Sequence, residues 1–143
     1  MKITDITTTN LSIGKSLVRV LTDSGIEGWA EGPSFGREFS GVNLTVFDAY
    51  LDSLIKPILV GEDPLQIDRH WEALALGRGE QFSRLPGFVV GIIDIALWDI
   101  RGKNSELPLW KMIGGTANKC RAYCGGIDLN FPLEKLLKNF QRF

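Results

Sequence analysis

The chain of 143 residues has one histidine and two cysteines, too few for the chemistry these residues usually carry. With His70 alone, no Cys/His set can close a zinc site. Cys120 and Cys124, if they share a strand, stand about 13 Å apart, beyond the roughly 7 Å reach of a disulfide. They read as small buried thiols of a reduced compartment. Basic runs are missing too: 16 Lys and Arg face 17 Asp and Glu, a formal net charge of −1, which excludes a nucleic-acid platform. No long apolar run exists either. The stretch from Gly87 to Ile100 carries Asp94 and Asp99 and falls short of the roughly 20 residues of a membrane span. Met1-Lys2-Ile3-Thr4-Asp5 lacks the apolar core of a signal peptide, so a cytoplasmic protein is expected. Gly77-Arg78-Gly79 and Gly125-Gly126 lack the strand, fingerprint and helix of a phosphate loop, and no Ser/His/Asp set follows a nucleophile elbow. Internal repeats and low-complexity segments are absent.

What is present is the composition of an ordinary globular domain, 44% hydrophobic and 23% charged. That is too apolar for disorder. The length is also well below the roughly 250 residues of a complete eight-stranded β/α barrel.

Three β-type segments come first: residues 2–9, 17–22 and 26–31. Asp23-Ser24-Gly25 reads as a three-residue hairpin loop with Gly25 in the left-handed region. In the third segment Glu27, Trp29 and Glu31 share one face, with Ile26, Gly28 and Ala30 on the other. An antiparallel meander follows, with one face in need of cover. Helical spacing then links Phe47, Tyr50, Leu51, Leu54, Ile55 and Ile58, and Pro57 is expected to end that helix near Lys56. Asp63-Pro64-Leu65-Gln66 predicts a capped helix start, with Ile67, Trp71, Leu74 and Ala75 as its apolar stripe. His70 lies off that stripe and reads as a surface residue.

The segment from Gly87 to Lys103 is apolar almost all round, the mark of a helix buried in a sizeable body. Asp94 and Asp99 within it need partners, and are assigned to bonds with backbone, Arg or Lys groups rather than to acid–base work. Pro108 to Ile113 reads as a short helix stopped by Gly114-Gly115. Lys119 to Cys124 reads as a fresh strand, and Leu133, Leu136, Leu137 and Phe140 line a last amphipathic helix. The four tryptophans fall within these patterns and are assigned to the core. A strand–loop–helix in that place opens a βα repeat.

One stretch carries a resemblance. Gly91-Ile92-Ile93-Asp94-Ile95-Ala96-Leu97-Trp98-Asp99-Ile100-Arg101-Gly102-Lys103, then Leu107-Pro108-Leu109-Trp110-Lys111-Met112-Ile113-Gly114-Gly115, resembles the signature of the enolase superfamily, in its mandelate racemase/muconate lactonizing enzyme branch. Thr22-Asp23-Ser24-Gly25-Ile26-Glu27-Gly28-Trp29-Ala30-Glu31-Gly32 is similar to that branch's second hairpin. The resemblance implies an α+β capping domain at residues 1–115, a three-stranded antiparallel meander with a helical bundle. Residues 116–143 would then hold the first βα unit of a TIM-type barrel, so that the chain is the N-terminal part of a longer enzyme. Such an enzyme removes the proton α to a carboxylate and uses Mg²⁺ to stabilise the ene-diolate. Its Lys-x-Lys element and acidic metal ligands match no position here, so no catalytic base and no metal ligand is assigned.

Two loops of the capping domain are expected to shape the substrate pocket. One is the turn at about Leu11 to Ser16, in which Lys15 is the charged group; the other is about Ser34 to Gly41, with Phe35, Arg37 and Glu38. Tyr123 and Cys124, near the end of the first barrel strand, complete the candidate substrate-binding set. The implied partner is a small-molecule carboxylate, and a homo-oligomer is implied for the full-length protein. An acid-sugar dehydratase is the first expectation, because a short first loop leaves room for a polar, extended substrate. Racemase, epimerase and cycloisomerase chemistry share the half-reaction and stay open. A non-catalytic binding or assembly module is the alternative of another class.

Overall fold

The alternating N-terminal segments pair as their patterns require. The structure is a computed structural model that describes residues 1–12, 15–33, 44–76, 85–122 and 131–141. Strands β1 (Ile3–Asn10), β2 (Ser16–Thr22) and β3 (Glu27–Glu31) form an antiparallel sheet in the order β1-β2-β3. Gly25 turns the second hairpin at φ +80°, a conformation that a side chain would disfavour. The register sets Ile6 opposite Val20 and Val20 opposite Gly28, so these residues share the buried face with Val18 and Ala30. Thr7, Arg19 and Trp29 line up across the outer face.

Helix α1 (Leu44–Tyr50) runs through a π-helical turn (Leu51–Ile55) into α2 (Lys56–Leu59). Pro57 was expected to end this helix, and does not. In the π turn the Lys56 amide reaches back to the Leu51 carbonyl, and the wider turn takes in Pro57, which has no N–H to donate. The Thr8 hydroxyl donates to Asp48 Oδ1 at 2.8 Å and ties β1 to α1.

Helix α3 (Ile67–Ala75) starts later than the Asp63-Pro64 signal suggests. Asp63 Oδ1 accepts the Leu65 amide at 3.1 Å and caps a separate turn, and no side chain caps the helix at Gln66. The buried stripe keeps Ile67, Leu74 and Ala75 but takes His70 in place of Trp71. His70, expected at the surface, is only 2% exposed, while Trp71 is 47% exposed. Ile67, His70 and Leu74 follow 3–4 spacing as well as Ile67, Trp71 and Leu74 do. The deciding contact is polar: the His70 Nε2 lies 2.7 Å from the Asp63 carbonyl, and that bond permits burial of the ring.

Helix α4 (Gly87–Asn104) lies against the sheet and buries Val89, Val90, Ile93, Ala96, Leu97 and Ile100. The contact with β3 is backbone on backbone. A Cβ at Gly28 would stand 2.0 Å from the Ala96 carbonyl oxygen, so only glycine allows this approach. Helix α5 (Leu109–Met112) ends at Gly114, φ +86°, with the Gly115 amide donating to the Trp110 carbonyl at 2.7 Å, as the paired glycines predict. Helix α6 (Leu133–Phe140) is present as well.

Further expectations are corrected. Residues 119–122 are exposed and belong to no strand; a strand needs a neighbour to bond, and among the described residues it has none. Cys120 is an exposed free thiol rather than a buried one. The tryptophans lie at the margin of the core: Trp29 and Trp71 are exposed, Trp98 and Trp110 half-buried. Arg19, Arg101 and Lys111 sit over the rings of Trp29, Trp98 and Trp110 at 5.5, 5.2 and 5.4 Å.

Candidate functional site

The end of the sheet where β1 turns into β2 is also where β3 gives way to the following segment. Leu17 pairs with Glu31, and the ladder is extended by one further bond, from the Gly32 amide to the Ser16 carbonyl at 2.8 Å. The turn before β2 is closed by the Leu11 amide donating to the Lys15 carbonyl at 2.8 Å. The Ser16 hydroxyl is buried and donates to the Pro33 carbonyl at 2.6 Å. Above it, Lys15 Nζ meets Glu31 Oε1 at 2.6 Å, with both side chains exposed. The roots of the two expected substrate-shaping segments are therefore hydrogen-bonded neighbours.

Of the site residues expected from sequence, Lys15 is placed at this junction, its charge balanced by Glu31. Phe35, Arg37, Glu38, Tyr123 and Cys124 lie outside the described residues. Ser16, Gly32 and Pro33 were not singled out in the sequence. The signal available was the Gly32-Pro33 pair after an alternating strand, a mark of strand termination.

The two carboxylates of α4 differ. Asp99 Oδ2 accepts the Trp29 amide at 2.8 Å and Lys103 Nζ at 2.6 Å, and Lys103 Nζ also donates to the Glu27 carbonyl at 2.7 Å. Together they satisfy the open edge of β3, the structural role expected of Asp99. Beside them an open cleft of about 320 Å³ is lined by Gly102, Glu106, Leu107, Pro108 and Leu109. Asp94 departs from expectation, for among the described residues it has no hydrogen-bond or ion-pair partner. Burial, and then the nearby Asp68 carboxylate, hold its carboxyl above the ordinary aspartate range.

Among the described residues no three His, Cys, Asp or Glu side chains gather in a way that could hold a metal ion. No described helix is long and apolar enough to cross a membrane.

Residues 4–114 match the family described as mandelate racemase / muconate lactonizing enzyme, N-terminal domain. The chain belongs to this family. Its three-stranded sheet with helices is the capping fold of the enolase superfamily. Among similar proteins, D-galactonate dehydratase family member RspA of Cellvibrio japonicus is 33% identical over 96% of this chain and 34% of its own length. A 3,6-anhydro-alpha-L-galactonate cycloisomerase of Streptomyces coelicolor is 34% identical over 65% of this chain and 26% of its own. The crystal structure of a racemase from Streptomyces coelicolor with bound magnesium superposes with a TM-score of 0.77, at 26% identity over 99% of this chain and 42% of that one. The chain thus spans about a third of the length of the curated relatives it matches.

Proposed function

We propose that this chain is the capping part of an acid-sugar dehydratase, which abstracts the proton α to a carboxylate and eliminates water from the adjacent carbon. The observation that supports the reading most is the similarity to D-galactonate dehydratase family members along nearly the whole chain. The described geometry is compatible with it, since the two segments assigned to substrate contact spring from one end of the sheet. In this reading Lys15 and Arg37 meet the carboxylate or hydroxyls of the substrate, with Phe35 and Glu38 beside them. Tyr123 and Cys124 border the pocket from the barrel side. The described residues do not supply a Mg²⁺ site. The share assigned to them is therefore substrate selection and exclusion of water. In this reading the catalytic base and the metal ligands belong to later barrel strands of the intact enzyme, beyond the first βα unit.

The test is incubation of the intact enzyme with Mg²⁺ and a panel of aldonates and aldarates in deuterated water. The expected result is loss of one water from at least one acid sugar, giving a 2-keto-3-deoxy acid. A protein that neither dehydrates nor exchanges the α-proton of any of them overturns the reading. The similarity to a cycloisomerase favours a second reading, for which the product would be an isomer of unchanged mass.

A further inference from the structure

We propose that Ser16 is a positioning residue whose hydroxyl bond to the Pro33 carbonyl fixes the turn at Lys15 and the chain leaving β3 in one relative position. The inference rests on the proposed function in one respect only, that these two segments contact the substrate.

Three features of the sequence converge on that bond. Pro33 has no N–H, so β3 cannot extend its ladder to β2 through residue 33. Its carbonyl is nevertheless buried with the rest of the residue, and a buried acceptor needs a donor. The Ser16 hydroxyl is that donor, at 2.6 Å. The hydroxyl occupies space that exists because residue 32 is glycine: a Cβ there would stand 2.5 Å from Ser16 Oγ and 3.2 Å from Val18 Cγ2. A proline that ends the strand, a glycine that opens a pocket and a serine that fills it form one joint.

The joint also has a backbone part and a surface part. The Ser16 carbonyl accepts the Gly32 amide, so the residue grips the outgoing chain at two successive positions, one through its backbone and one through its side chain. The adjacent Lys15–Glu31 pair spans the same two segments, but exposed ion pairs of this kind contribute little, because solvent screens them. The buried hydroxyl is the better lock, because breaking it leaves the Pro33 carbonyl unsatisfied. The turn at Lys15 and the chain as far as Pro33 would then keep one relative position, which is what a selective pocket built on both needs.

Amide hydrogen exchange of the chain tests the joint. Ser16→Ala should speed exchange of the Gly32 amide by about tenfold or more, and that of Leu11 by less, with α4 and the middle of β2 unchanged. Ser16→Cys keeps most of the volume with a weak donor and should behave like Ser16→Ala, so that a cavity effect is separated from the lost bond. Gly32→Ala, with Ser16 intact, should show the same local change. The proposal is overturned if Gly32 exchange stays within about twofold of the native rate in both Ser16 variants, or if all amides of β2 and α4 accelerate together. In the intact enzyme, Ser16→Ala should raise KM for the acid sugar about tenfold and leave kcat within about twofold; a fall in kcat at unchanged KM overturns the positioning role. An intact native enzyme inactive on every acid sugar would instead sink the proposed function, and the exchange rates would still decide the joint.

Discussion

The chain up to Ile100 and the chain beyond it differ in how many of their apolar side chains find a core. Every buried hydrophobic side chain among the described residues lies between Ile3 and Ile100, in one core shared by the sheet and helices α1 to α4. Beyond it the apolar residues face outward: Leu107, Leu109, Ile113, Phe131, Leu133 and Leu137 are all exposed. The residues are no less hydrophobic. The difference is that the first region contains both sides of its own interface, whereas the second presents one side. These side chains have no apolar cover among the described residues.

Paired truncations would break or sharpen this contrast most directly. Ile93 is fully buried under the sheet, and Ile93→Ala should cost about 2–5 kcal/mol, from lost transfer energy and the cavity left behind. Ile113 is 71% exposed, and Ile113→Ala should stay within about 0.5 kcal/mol. Urea unfolding of the chain measures both. Equal losses would show that residues beyond Ile100 share the core after all.

The same contrast explains how much of the fold the sequence revealed. The meander, the Gly25 turn, the all-round apolar α4 and the Gly114-Gly115 stop were readable because each is set by local chemistry or by burial within the region. The strand expected at Lys119 to Cys124 was read from its pattern, yet a pattern states only what a segment would do beside a neighbour. His70 was misread for another reason. Period alone left His70 and Trp71 equivalent on α3, and the bond to the Asp63 carbonyl, across the turn before the helix, decided between them. Pro57 was misread because the rule that proline ends a helix assumes α geometry, and the π turn relaxes it. At the candidate site, Lys15 was legible as a loop charge. The Ser16–Gly32–Pro33 joint was not, because it depends on the register of β2 against β3, and no single segment carries that.

A smaller effect probes how tightly the first region is closed. Gly28 lets the backbone of α4 rest on β3, and Gly28→Ala would drive a Cβ into the Ala96 carbonyl at 2.0 Å. Backbone cannot swing aside as a side chain does. The expected loss is about 3 kcal/mol, the upper part of the usual range for overpacking. Gly91 on the same helix has nothing within 4 Å of the added atom, and Gly91→Ala should instead stabilise by about 0.5–1 kcal/mol. If both substitutions proved neutral, the close approach of sheet and helix would be wrong.

The smallest expected effect lies within α4 itself, where two aspartates of the resembling signature have opposite circumstances. Asp99 holds a strand edge through two bonds, so Asp99→Asn weakens an occupied contact and should cost about 1 kcal/mol. Asp94 has a raised pKa, from burial first and Asp68 second, so the folded chain keeps its proton to higher pH than the unfolded chain does. The stability linked to that proton is fully present below the unfolded value of 3.8 and is lost as pH rises through the higher folded value. Above that folded value the ionised Asp94 therefore weighs against the fold. Asp94→Asn should raise the urea midpoint at pH 7 by the equivalent of about 0.5 kcal/mol or less, a gain on the scale of surface substitutions. The gain should shrink to nothing as the pH is taken below 3.8, where the native aspartate is protonated in both states. A gain that persists unchanged in acid would mean that shape or packing, not charge, sets the cost of Asp94.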